Sequence, residues 1–147
     1  MTSSITARSH RHRPTGIVRA LFVVHGIVTL AAAVVLTVFP AAIPATVGIS
    51  LGVDASLLSY FLAAAELAIG MLSIGATRLG DPAALTLIAL VFVVFHLATA
   101  ALEVGYLVMT GPQGVLIANG GVRLVAAAAF LAAAVKLNSA RREPAAR

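Results

Sequence analysis

The chain has 147 residues, 61% of them hydrophobic and only 10% charged, with a formal net charge of +5. Its mean hydropathy of +1.05 lies far above that of a water-soluble globular domain. It has no cysteine, which excludes disulfides, thiolate nucleophiles, cysteine-ligated metals and covalently attached haem. The positive charge gathers at the chain ends, where it suits an anionic membrane surface, so no nucleic-acid partner is expected.

Four apolar runs each come close to the roughly 20 residues that a bilayer crossing needs. They run from Ile17 to Phe39, Ala55 to Ala76, Ala83 to Met109 and Val115 to Leu137. The expected fold is therefore all-α, a four-transmembrane-helix bundle of up-down-up-down order over residues 17–137. Basic cytoplasmic tails, 1–16 and 138–147, are expected on either side. The first run is long for a signal-peptide core, so it is expected to be retained as a helix.

The first fifteen residues alternate histidine and arginine from His10 to Arg13 and then reach Pro14; they are expected to lie at the cytoplasmic face. In the first helix Arg19 can snorkel to the near surface. His25 and Thr29 share a face, and Gly26 permits close approach of a partner helix. Pro40 and Pro44 end this helix and open an apolar loop to Asp54 without Lys or Arg, where Asp54 or Ser56 should cap the second helix.

The second helix places Ser59, Ala63, Glu66, Gly70 and Ser73 along one side, a seam of small residues interrupted by one acid. Tyr60 suits an interfacial position. After the short turn carrying Arg78, Asp81-Pro82 reads as an N-cap followed by an N1 proline. The third helix, DPAALTLIALVFVVFHLATAALEVGYLVM, carries His96 and Glu103 seven residues apart and so on nearly one face. In the fourth, Asn119 and Arg123 share a face beside Gly120 and Gly121.

Nine of the ten Lys and Arg residues fall at one set of helix ends, and the two opposite loops have none. Both termini are therefore expected in the cytoplasm, in a multi-pass protein of the cell inner membrane.

Five ionisable residues remain inside the spans: His25, Glu66, His96, Glu103 and Arg123. A charged group in the middle of a lipid-facing helix costs about 2.5–3.5 kcal/mol, so these residues should face one another or a cavity. Depths counted at about 1.5 Å per residue predict two pairs, Glu66 with His96 near the midplane and Glu103 with Arg123 further out, Asn119 lying level with the latter. The same count sets His25 roughly 5–8 Å deeper than His96, which argues against a haem held between them. Burial and mutual attraction act in opposite senses on a Glu/His pair, so this centre is expected to respond to protons. The blander alternative is that these polar groups only fix helix register.

Nucleotide-binding, zinc-protease and serine-hydrolase motifs are absent. A metal site made by His25, Glu66 and His96 has suitable ligand types but no close spacing, and the reading leans away from an enzyme. The expected function is to bind or transport a small molecule or a proton through the buried Glu/His centre. Ligand- or proton-binding residues would be Glu66, His96, His25, Glu103, Arg123 and Asn119. Expected partners are membrane lipids and a small apolar ligand or quinone, in a homo-oligomer. The alternative is a non-catalytic subunit of a membrane redox or transport complex.

The second-helix run AAAELAIGMLSIGA and the segment Asn119-Gly-Gly-Val-Arg123 give the chain a further context. With these features the chain resembles the small four-span bacterial membrane proteins related to DoxX. That resemblance implies a four-helix membrane bundle and a link to quinol or thiol redox systems. It carries over to Glu66 and Arg123 only; His96 and Glu103 stand outside it.

Overall fold

The computed structural model describes residues 16–142. The His10–Arg13 alternation and the final five residues lie outside the described part. Four long helices make up most of it: α1 (Gly16–Val38), α3 (Ser56–Ala76), α4 (Pro82–Thr110) and α5 (Gly114–Arg142), with a five-residue α2 (Ala42–Thr46) between the first two. All four are long and apolar enough to cross a membrane, so the chain is a multi-pass integral membrane protein by length and composition.

The helix boundaries follow local chemistry. Asp81 caps α4 as expected, its carboxylate accepting from the backbone N–H of Ala83 at 2.9 Å and of Ala84 at 3.3 Å, with Pro82 opening the helix. Gly111 closes α4 with φ 89°, a left-handed conformation that favours glycine, while its N–H bonds the Leu107 carbonyl.

Three boundaries differ from the sequence expectation. The apolar loop contains α2, because Pro44 falls in the first turn, where a helix needs no N–H. Neither Asp54 nor Ser56 caps α3; Ala55 occupies that position without a side-chain bond, and the Ser56 hydroxyl turns back to the Gly52 carbonyl at 3.3 Å. Helix α5 runs to Arg142, into the stretch expected as a tail, since Ala140, Arg141 and Arg142 favour helix and the next proline is Pro144.

The long helices pack as two pairs. In the first pair, α1 lies against α3. A Cβ on Gly26 would stand 2.7 Å from the Ile74 side chain, and one on Gly70 would stand 2.7 Å from Leu30. Partner numbers fall on α3 as they rise on α1, so the two helices run in opposite directions. The expected seam is real: Ser59, Ala63, Gly70 and Ser73 are buried along it, and Glu66 is half-buried. In the second pair, α4 lies against α5, again in opposite directions, with Phe92 beside Phe130 and Glu103 beside Asn119.

Large side chains, rather than close backbones, join the pairs. Phe22, Phe92 and Phe130 are fully buried, and their ring centroids lie 5.0–6.0 Å apart. Around them gather Val18, Ala76, Leu85, Ala89, Ala134 and Leu137. This core marks one end of the molecule, the tail end, where α1 and α4 begin. Away from it, α4 has no buried residue beyond Ala100, and the buried residues of α5 begin only at Ala127. The broad exposure of Val, Leu and Ile on every long helix fits a lipid-facing surface, on which apolar burial supplies no drive and close packing must hold the helices together.

Candidate functional site

Two polar layers cross the helices. The first lies at the edge of the aromatic core. On α1, His25 follows Phe22 by three residues; on α4, His96 follows Phe92 by four. Both spacings keep the histidine on the face of its phenylalanine, one turn further on. Because the phenylalanines meet, the histidines meet: Nε2 of His96 lies 3.2 Å from Nε2 of His25. On its other side, His25 Nδ1 lies 3.0 Å from the Ser73 hydroxyl of α3. That hydroxyl in turn donates to the Phe22 carbonyl at 2.8 Å. Phe92 and Phe130 wall the His25 ring at centroid distances of 4.6 and 5.0 Å, and Phe130 stacks against His96 at 6.1 Å. His96 is only 7% exposed, and its Nδ1 is buried with no hydrogen-bond partner.

The second layer lies two turns away. Glu66 is seven residues from Ser73, Glu103 seven from His96 and Arg123 seven from Phe130, a displacement of about 10 Å along each helix, away from the tail end. Here Glu103 Oε1 accepts from Arg123 Nε at 2.9 Å and from Asn119 Nδ2 at 2.6 Å. The Glu103 side chain is 14% exposed and that of Arg123 20%. The guanidinium also stands 5.9 Å from the centre of the Phe95 ring, an arrangement favourable for a cation. Glu103 Oε2 is buried and unpartnered, and a Cβ on Gly120 would come 3.7 Å from it.

The expected pair of Glu103 with Arg123 is therefore present, and Asn119, expected near that level, bonds the same carboxylate oxygen. The expected pair of Glu66 with His96 is not what the structure holds. His96 bonds His25, and Glu66 stands half-buried at the level of the Arg123 layer. The predicted depth gap between His25 and His96 also closes. Helix α4 has 29 residues against the 23 of α1, and it begins further toward the tail end, so counting from each start misplaced the two rings. His25 bonds Ser73, which had stood out in the sequence only as a small residue of the seam.

Among the described residues, no group of three or more His, Cys, Asp or Glu side chains could hold a metal ion. His25 and His96 supply two nitrogens, and Glu66 does not join them. What the arrangement offers instead is unsatisfied hydrogen-bonding capacity. A buried polar atom left without a partner costs about 1–3 kcal/mol, and two of them lie on one face of α4.

Comparison with protein-family models, with curated proteins and with solved structures finds no match to this chain.

Proposed function

We propose that this protein spans the cell inner membrane in up-down-up-down order with both termini in the cytoplasm, and that it binds or transports a small molecule or a proton. The centre comprises His25 and His96 in one layer and Glu66, Glu103, Asn119 and Arg123 in the next. One observation carries this reading: His96 Nδ1 and Glu103 Oε2 are both buried polar atoms without partners. A small apolar molecule with a hydroxyl group, such as a quinol, would satisfy such atoms, as would a proton or water. The likeness to DoxX-type proteins belongs to the same proposal and agrees with a quinone-sized ligand.

A native mass spectrum after gentle detergent extraction tests this reading. The expected result is a homo-oligomer that retains a discrete small molecule, or an empty oligomer that moves protons into liposomes. Either activity should weaken in Glu66→Gln and in Glu103→Gln. An empty protein with no flux, unaffected by both substitutions, would sink the reading.

A second reading has its own observation. The half of α5 from Gly114 to Ala126 contains no fully buried residue, so a sizeable helix face is left for a neighbour. An accessory subunit of a membrane complex would use that face, and stoichiometric foreign subunits in the same spectrum would favour it.

A further inference from the structure

The hydrogen bonds of the first layer have a direction, and the direction defines a site. Ser73 has one hydroxyl hydrogen, which it donates to the Phe22 carbonyl at 2.8 Å. Toward His25 Nδ1, 3.0 Å away, the same oxygen can only accept, so His25 carries its hydrogen on Nδ1. A neutral ring with hydrogen on Nδ1 has a bare Nε2. Across the 3.2 Å contact, therefore, His96 Nε2 is the donor. His96 is then the opposite tautomer, and its bare Nδ1 is the buried atom with no partner.

We propose that the His25–His96 pair is a binding site for one proton per chain, entered and left through Nδ1 of His96. The proposal deepens the proton arm of the functional reading above and rests on it. Binding forms an N–H bond at His96 Nδ1, breaks none and moves no electrons; the ring becomes an imidazolium that still donates from Nε2 to His25. A second proton has no place. It would sit on His25 Nε2, facing the His96 Nε2–H at 3.2 Å with two hydrogens and no acceptor between them. The far end is closed as well, because the chain of bonds stops at a backbone carbonyl, which takes up no proton near neutral pH. The pair stores a proton and does not conduct one through to the other side.

The groups facing the site are few. From α1 comes His25; from α3, Ser73 and, two turns away, Glu66. From α4 comes Glu103, also two turns away, and from α5 the Phe130 ring with Arg123 beyond it. The charge of the site is therefore set against one arginine and two carboxylates in the neighbouring layer, with aromatic rings in between.

Nitrogen NMR of ¹⁵N-histidine-labelled full-length protein in lipid nanodiscs tests the inference. Tail signals are removed by His10→Gln with His12→Gln. Between about pH 9 and about pH 4, either side of the ~6.5 of free histidine, His25 should keep a single hydrogen on Nδ1. His96 should pass from hydrogen on Nε2 alone to hydrogen on both nitrogens. Ser73→Ala should release His25 into a mixture of tautomers and allow its Nε2 to gain a hydrogen. Two rings that both become doubly protonated, two rings that never change, or a His96 with hydrogen on Nδ1 alone would each overturn the proposal. So would a His25 tautomer indifferent to Ser73→Ala. Silent histidines in a protein that still binds its ligand would remove this inference alone. A pair that titrates as stated in a protein that retains no small molecule and moves no protons would remove the ligand and transport arms of the functional reading and leave this inference standing.

Discussion

The two polar layers use different residue types to different ends. The ionic layer unites a carboxylate, a guanidinium and an amide on two adjacent helices, α4 and α5. The histidine layer links three helices, α1, α3 and α4, by neutral hydrogen bonds between aromatic walls. An ion pair taken out of water holds its partners strongly, because either charge left alone in the interior is expensive. A chain of neutral bonds holds less strongly but is polar in direction, so it can record where a hydrogen lies. The ionic layer fastens one helix pair, and the histidine layer connects that pair to the other.

The largest effect should come from splitting the ion pair. Glu103→Ala leaves Arg123 buried without its carboxylate and should cost about 3–5 kcal/mol, read by thermal or denaturant unfolding in detergent. Replacing both residues by leucine should recover most of that loss; a double variant as unstable as the single one would show that the layer works by more than pairing. Next comes the glycine seam. Gly70→Ala puts a Cβ 2.7 Å from Leu30 and should cost about 1–3 kcal/mol. Gly121→Ala, with nothing within 4 Å, should be neutral or should stabilise by up to about 1 kcal/mol. In the histidine layer, His25→Phe alone strands the donor of His96 and should cost about 1–3 kcal/mol. The double variant with His96→Phe should stay within about 1.5 kcal/mol of the parent, since an aromatic-walled site accepts two more rings of similar size. If the double variant were worse than the single, the layer would be structural in a way its hydrogen bonds do not explain. The smallest effect is at the helix cap, where Asp81→Ala should cost about 1 kcal/mol and fray the start of α4 in hydrogen exchange.

Much of this was legible in the chain. Four apolar runs, the Asp81-Pro82 start and the Glu103–Asn119–Arg123 cluster all follow from local rules: span length, capping, and same-face spacing on two neighbouring helices. The histidine pair did not follow, because it depends on how α1 and α4 slide past one another, and helix starts are a poor ruler for that. The signal was present in another form. A phenylalanine stands one turn before each histidine, on two helices that run in the same direction, so aligning the rings aligns the histidines. Glu66 was assigned to His96 by the same faulty ruler. Set against Ser73, its own neighbour seven residues along α3, it falls with Arg123. The short α2 escaped because a proline early in a run reads as a breaker although it is tolerated in a first turn.

The division into pairs bears on how the protein is made. Gly26 and Gly70 bring together α1 and α3, which follow one another in the chain apart from the short α2, and α4 and α5 are joined by a turn of three residues. Each pair can thus assemble from what has most recently emerged during synthesis, without waiting for distant sequence. Contact between the pairs comes afterwards and is made by side chains alone. The bond from His96 to His25 spans 71 positions, so it is among the last to form, and its presence marks a chain whose two halves have found each other.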